Sequence, residues 1–336
     1  LDGSLLHAWD ANVMQHCHLG ASRHVIKRHD PKLHVIAVVF NPLRFQSRYN
    51  LFKDFAKHAS QNTDDVELWV AELALGNRPF EVTEACNPRH MQFRTSHELW
   101  HKERLINMAV SRLPSDWEYV AWIDADVTFL NHDWAHEAIQ QLQHYQIVQL
   151  FTHAMDVGPS GEPIEQFEGF AHSHVLRRPF RKMNSKKDAY GGKYWHPGYG
   201  WAYRRSAWNT LGGLLDINIV GGGDHQMAYG LIGRVDETIP QGSTHHYSRS
   251  VKTWARNASL LRRDIGAVPG TVVHHYHGPK VNRGYHNRWR ILTENKFDPL
   301  TDLKNDWQGA LTLAGNKIQL RDDLRAYFRQ RNEDAI

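Results

Sequence analysis

Cysteine is nearly absent from this sequence: Cys17 and Cys86 are the only two in 336 residues. That excludes a disulfide framework and a thiolate metal site, and it is compatible with a reducing compartment. No apolar run approaches the roughly 20 residues that cross a bilayer as a helix, so no membrane span is expected. No signal peptide opens the chain. A cytoplasmic location is expected, with the secretory lumen as the alternative if a targeting segment ahead of Leu1 has been removed. The single glycosylation triplet, Asn257-Ala258-Ser259, is of a kind that recurs by chance. A surplus of one charge is lacking as well. The 40 basic and 36 acidic residues leave +4, far from the density of a nucleic-acid-binding module and enough only for mild attraction of an anionic substrate. Repeats and low-complexity segments are also missing.

What is present suits one large α/β domain with appendages: 41% of residues are hydrophobic and 23% charged. Residues 1–32 are polar and His-rich, and read as an irregular N-terminal extension. His34 to Phe40 is a continuous apolar, β-branched run, the pattern of a strand buried on both faces. A helical pattern covers Arg48 to Ala59, a strand Val66 to Leu73, and a long helix Thr95 to Leu113, opened by a Thr95/Glu98 capping box. Glu118 to Ile123 is a third strand, and Asp124-Ala125-Asp126 stands where it ends. A helix (Trp134 to His144) and a strand (Ile147 to Phe151) follow. This alternation predicts an open, mostly parallel sheet flanked by helices, with ligands beyond the carboxyl ends of its strands.

The character changes at residue 153. Ala154 to Gly200 is rich in Gly, Pro, Ser, Lys and Arg and reads as an acceptor-side loop region, with Ala154 to Tyr194 expected to close over the donor. Tyr203 to Leu211 and Asp224 to Ile232 have helical patterns, and Thr271 to Tyr276 that of a strand. The catalytic domain is thus expected over 33–300, divided into a nucleotide-binding half (33–152) and an acceptor half that carries the metal-ligand strand (153–300). A helical C-terminal extension over 301–336 completes the chain.

Two carboxylates at a strand end, Asp124 and Asp126, can hold Mn²⁺ or Mg²⁺ through hard oxygen ligands while the metal bridges a diphosphate. Solvated turn acids are the plain alternative. The run His274-His275-Tyr276-His277-Gly278 offers an imidazole as third ligand. On a strand, His275 and His277 share one face and His274 lies on the other. His277 is the expected ligand because it closes the strand and precedes Gly278, where backbone can come close to a phosphate. Lys280, Arg283, Arg288 and Arg290, with Tyr285 and Trp289 between them, form either a solvated helix start or a clamp on the leaving diphosphate. Lys102 falls on the helix face of Leu99, Ile106, Ala109 and Leu113, so its head is directed toward the sheet unless it snorkels. Asp224 and His225 open a helix after three glycines. The positive helix end favours Asp224 as a carboxylate that accepts from a sugar hydroxyl, and keeps His225 neutral as helper or alternative base.

Taken in order, Leu99 to Asn107 (LWHKERLIN), the strand ending in Asp124-Ala125-Asp126, the run Gly198-Tyr199-Gly200-Trp201-Ala202-Tyr203-Arg204-Arg205, Leu211-Gly212-Gly213 and Gly221-Gly222-Gly223-Asp224 resemble a family. They look like the β-1,4-galactosyltransferases and the catalytic domain of the polypeptide N-acetylgalactosaminyltransferases, and the match runs from about residue 34 to 292. The resemblance implies a GT-A fold, a UDP-sugar donor and Mn²⁺. It implies nucleotide contacts from Phe40, Asn41, Arg44 and Lys102, metal binding by Asp124, Asp126 and a later histidine, and acceptor contacts from Trp201 and Asp224. The chain departs from the pattern at Gly222-Gly223-Asp224-His225, where those families usually carry Gly-Gly-Glu, so the base is not simply carried across.

The expected activity is therefore transfer of a hexose from a nucleotide-diphosphate sugar to a hydroxyl of a glycan or protein, with inversion. A sugar nucleotidyltransferase would need a Gly-rich basic turn after the first strand, which Asn41-Pro42-Leu43-Arg44 does not provide. A catalytically silent carbohydrate-binding module is the non-enzymatic rival, against which the intact Asp124, Asp126, Lys102 and Asp224 argue. A modified base in DNA is a further acceptor class, to which the positive stretch from Arg177 to Lys187 would lend only sequence-independent attraction.

Overall fold

The computed structural model describes residues 31–62, 64–178, 195–285 and 287–335. The expected extension over 1–32 lies almost wholly outside them, as do residues 179–194 of the expected loop and most of the Arg177 to Lys187 stretch. The chain first builds β1 (Leu33–Phe40), α1 (Gln46–Ala59), β2 (Val66–Leu75) and β3 (His90–Thr95). It continues through α2 (Lys102–Val110), β4 (Tyr119–Ile123), β5 (Val127–Phe129), α3 (Trp134–Leu142) and β6 (Ile147–Gln149). Next come β7 (His153–Val157), β8 (Pro163–Gly169), α4 (Phe170–Val175), β9 (Trp195–His196) and β10 (Gly200–Arg204). Helices α5 (Arg205–Leu211), α6 (Gly223–Leu231) and α7 (His245–Ser259) precede β11 (Ile265–Ala267) and β12 (Thr271–His274). The chain ends through α8 (Trp289–Glu294), α9 (Pro299–Asp302), β13 (Leu303–Asn305), β14 (Leu311–Leu313) and α10 (Ile318–Gln330).

The fold is α/β with a mostly parallel main sheet, as expected. Its seven strands run β11-β6-β10-β4-β1-β2-β3, and β10 alone is antiparallel to its neighbours. Alternation along β1 shows why its sequence is apolar throughout. Leu33, Val35, Ala37 and Val39 pack with Tyr49, Phe52 and Phe55 of α1 and Trp134 of α3. Ile36, Val38 and Phe40 pack on the other face with Leu105 and Ile106 of α2. Helices cover both faces, so no polar side is needed. The chain runs from β1 outward to β2 and β3 and then returns to place β4 on the other side of β1. That reversal opens a crevice beyond the carboxyl ends of β1 and β4.

A second sheet, β5-β12-β7-β8-β9, begins only three residues after β4 ends. Asp124, Ala125 and Asp126 are those three. The backbone N–H of Asp124 donates to the Tyr199 carbonyl (2.8 Å), and the Asp126 carbonyl accepts from His275 N–H (2.9 Å), so each aspartate is fastened to a different sheet.

Several elements differ from the sequence reading. The Thr95/Glu98 pair is not a capping box: Thr95 ends β3, paired with Leu75, and α2 starts only at Lys102. Glu98 instead bonds Arg329 of α10 at 3.2 Å. Tyr203 is strand rather than helix, because β10 fits between β4 and β6 with its aromatic side chains buried. Residues 154–178 are not a loop; they form most of the β7–β8 hairpin and α4. Strand β12 stops at His274, so the predicted sharing of one face by His275 and His277 does not occur. The expected C-terminal extension holds the hairpin β13–β14 as well as helix α10. Asn257 lies within α7 and its side-chain amide donates to the Leu211 carbonyl.

The loop that leads into α6 is fixed by a buried polar ring. Tyr247 Oη donates to Asn218 Oδ1 (2.6 Å), Asn218 Nδ2 donates to Gln226 Oε1 (3.0 Å), and Gln226 Nε2 donates to Tyr247 Oη (3.1 Å). All three residues are buried, so each group depends on the other two. Tyr247→Phe removes the hydroxyl and leaves the Asn218 carbonyl oxygen short of a donor. The expected loss is about 1–3 kcal/mol of stability, read as a lower urea midpoint; an unchanged midpoint would show that the ring does not hold this loop.

Candidate active site

A cavity of about 550 Å³ occupies the crevice beyond β1 and β4. Phe40, Asn41, Lys102, Asp124, Asp126, Asp224, His225, Lys280, Arg283 and Arg288 are among the residues that line it. The C-terminal residues Phe328, Arg331 and Glu333 also reach it.

At its floor three side chains converge. Asp126, His274 and His277 are buried and offer ligand atoms within 4.8 Å of one another. His277 Nε2 lies 3.1 Å from Asp126 Oδ2 and 3.3 Å from His274 Nε2. His274 Nδ1 lies 3.0 Å from Asp156 Oδ1, so a neutral His274 donates there and keeps its Nε2 lone pair for the cavity. Asp156 also accepts from Tyr199 Oη at 2.7 Å and pairs with Lys280. The Tyr199 ring stacks on His274 (4.8 Å) and on His196 (3.8 Å), which fixes the plane of His274. Among the described residues, Asp126 Oδ1 is buried with no hydrogen-bond partner. An orphaned carboxylate oxygen beside two imidazole nitrogens is a donor set that fits Mn²⁺ or a related divalent ion. Burial disfavours ionised Asp126, but His274, His277 and Arg48 outweigh it and hold the acid well below the usual carboxylate range. The Arg48 guanidinium touches Asp126 Oδ2 at 2.7 Å.

Asp124 faces the other way. It pairs with Lys102, the first residue of α2, whose ammonium also lies 4.3 Å from the centre of the Trp122 ring. Burial pulls Lys102 down, yet Asp124, Asp224 and Glu103 together raise it, so it remains a cation. One ammonium shared among three acids leaves them unequal. Burial pushes Asp124 up, aided by Asp126 and opposed by Lys102. Asp224 resists the same burial because Lys102, Arg288 and His196 keep it ionised, and its Oδ1 accepts from His225 N–H at 2.8 Å. Its carboxylate fits because residue 198 is glycine: a Cβ there would stand 2.6 Å from Asp224 Oδ2. Burial lowers His225 to about 4, so its ring is neutral near pH 7.

The structure thus brings Phe40, Asn41, Lys102, Asp124, Asp126, Asp224, His225, His277, Lys280 and Arg283 to one cavity. It leaves out two expected contacts. Arg44 turns to Glu81 at 2.6 Å, and Trp201 is buried within β10 with its Nε1 donating to the Pro197 carbonyl. His275 points to Thr128 Oγ1 (2.8 Å), while His274, assigned in sequence to the opposite face, joins His277. Gly278 admits close approach of the C-terminal backbone rather than of a ligand: a Cβ there would lie 2.8 Å from the Asn332 carbonyl oxygen. Sequence reasoning missed Arg48, Asp156, Arg331 and Glu333. Asp156 falls in the stretch read as a loop, and no local pattern marks the other three.

No protein-family model matches the chain, and no curated protein matches it in sequence. Solved structures do resemble it. A Drosophila β1,4-galactosyltransferase 7 variant in complex with manganese, UDP-Gal and xylobiose matches at 12% identity over 62% of this chain and 63% of that one, with a TM-score of 0.31. Residues 1–349 of S. aureus TarS in complex with UDP-GlcNAc match at 10% identity over 74% and 60%, with a TM-score of 0.42. The catalytic domain of the Drosophila enzyme in complex with xylobiose matches at 11% identity over 87% and 98%, with a TM-score of 0.37. The chain spans less than two thirds of the length of the first two.

Two measurements follow from this geometry. In calorimetric titration with Mn²⁺, Asp126→Ala and His274→Ala are expected to abolish binding and His275→Ala to leave it intact; the reverse order of the two histidines would restore the strand-face assignment. Glu103 supplies a test by pH. Burial pushes this acid from 4.5 up to about 7, with Lys102 opposing and Asp224 reinforcing the rise. A raised folded value means stability that is complete below pH 4.5 and lost as pH rises through 7. Glu103→Gln should therefore flatten the fall in urea midpoint between pH 5 and 7.5, a difference on the order of 3 kcal/mol. Parallel curves for the two proteins would refute the buried-acid assignment.

Proposed function

We propose that this chain is a metal-dependent glycosyltransferase of the GT-A kind, moving a hexose from a nucleotide-diphosphate sugar, UDP-sugar favoured, to a hydroxyl acceptor with inversion. The observation that carries the reading is that the Asp126, His274 and His277 cluster and the Asp224 carboxylate open onto one cavity. A divalent ion held by Asp126, His274 and His277 would neutralise charge on the diphosphate. Phe40 and Asn41, at the carboxyl end of β1, are suited to the nucleoside. Lys280, Arg283 and Arg288 supply cations for the departing UDP. Asp124 is suited to hold Lys102 and a sugar or ribose hydroxyl.

In this reading Asp224 accepts the acceptor hydroxyl's proton as the oxygen attacks the anomeric carbon. The bond from that carbon to the diphosphate oxygen breaks in the same displacement, and UDP leaves with the electron pair. Asp224 suits the role because it is ionised and sits at the positive end of α6. His225, neutral beside it, is the helper or alternative base.

The test is UDP release over a panel of UDP-sugars with Mn²⁺, followed by product NMR for anomeric configuration. Asp224→Asn is expected to lose about 10²–10⁴-fold in transfer rate while retaining UDP binding. Transfer at the wild-type rate by Asp224→Asn, with His225→Ala inactive, would exchange the two roles; no UDP release from any donor would refute the activity.

A further inference from the structure

The C-terminal segment after α10 lies directly on the turn that follows His277. Gly278 adopts φ +83°, and a Cβ on it would stand 2.9 Å from Glu333 Cα, so backbone meets backbone there. The same segment grips the start of α1. Asp334 accepts from Gln46 N–H (2.9 Å) and Ser47 N–H (2.8 Å), and Ser47 Oγ donates to the Glu333 carbonyl (2.9 Å). Helix α1 carries Arg48. Between these two anchors the Glu333 side chain turns inward and is 4% exposed.

Its carboxylate has three neighbours. Oε1 pairs with Arg331 Nε; Oε2 lies 2.9 Å from Arg48 Nε and 3.4 Å from His277 Nδ1. Arg331 is itself held, with Nη1 donating to Tyr327 Oη at 3.0 Å and its guanidinium 5.2 Å from the Trp100 ring centre. A buried charge so braced has little freedom to turn away. The contact to Nδ1 is an ion-pair distance rather than a well-aligned hydrogen bond, and nothing else satisfies that nitrogen among the described residues.

An imidazole that ligates through Nε2 carries its proton on Nδ1, and a carboxylate behind Nδ1 fixes both tautomer and ring orientation. Asp156 stands in that position for His274. We infer that Glu333 is the matching positioning residue for His277, so that the C-terminal segment is a working part of the metal site. This rests on the metal reading above. Glu333 also gives Arg48 a second anchor, so that its guanidinium does not depend on Asp126 alone.

The experiment measures Mn²⁺ binding by calorimetry and nitrogen coordination by pulsed electron paramagnetic resonance on the full chain. Wild type should bind Mn²⁺ with two imidazole nitrogens. Glu333→Gln should bind about 10–100-fold more weakly, with the signal of one imidazole diminished. Of the two imidazole signals only one should diminish, which a merely structural role for Glu333, loosening the whole site, would not produce. Equal affinity and an unchanged nitrogen signal in Glu333→Gln would overturn the inference while leaving the metal reading intact. If Glu333→Gln does not fold, Glu333→Asp keeps the charge for Arg48 and Arg331 but withdraws it from His277; weaker Mn²⁺ binding supports the inference and wild-type affinity overturns it. Failure of the wild type to bind Mn²⁺ would remove the metal reading and this inference together.

Discussion

The site is organised around a buried carboxylate that the fold must keep charged. An ionised acid out of water costs several kcal/mol unless partners compensate it, and Asp126 draws those partners from distant parts of the chain. Arg48 comes from α1, His274 from the end of β12 and His277 from the loop beyond it. Each partner is oriented in turn: Arg48 and His277 by Glu333, His274 by Asp156. The packing of α1, the length of β12 and the path of the C-terminus therefore serve one charge.

Three of the cavity's other acids gather around Lys102. Lys102 faces Asp124, Asp224 and Glu103, Arg288 and His196 add to it at Asp224, and the inequality among those acids gives them different protonation behaviour. Environment rather than residue type separates the ionised Asp224 from Glu103, whose carboxyl burial pushes up to about 7. Such a division lets one cavity carry both an ionised carboxylate and an acid that keeps its proton more readily.

Much of the main sheet was legible because burial on both faces leaves a continuous apolar run, as in β1, and because Asp124 and Asp126 stand where such a run stops. The errors share one cause: local patterns were satisfied by distant partners. Thr95 and Glu98 have the spacing of a capping box, but a neighbouring strand claims the first and α10 the second. Tyr203 looks like the first residue of the helix that follows it until β4 and β6 flank β10. The histidine assignment rested on two-residue alternation, which holds only while a strand continues, and β12 ends at His274. Glu333 sits in a polar tail with no periodicity, so nothing local distinguishes it from a solvated acid.

The joint between the two sheets has no slack. A single residue, Ala125, separates an aspartate fastened beside β10 from one fastened beside β12. An extra residue at that point would have to be absorbed by sliding β4 along β1 or β5 along β12. Because side chains alternate, a one-residue slip turns a strand's buried face outward, so the neighbouring sheets resist it with their whole packing. The spacing of the two acids is thus enforced as a length, by the packing of two sheets, and the chain between them acts as a ruler one residue long.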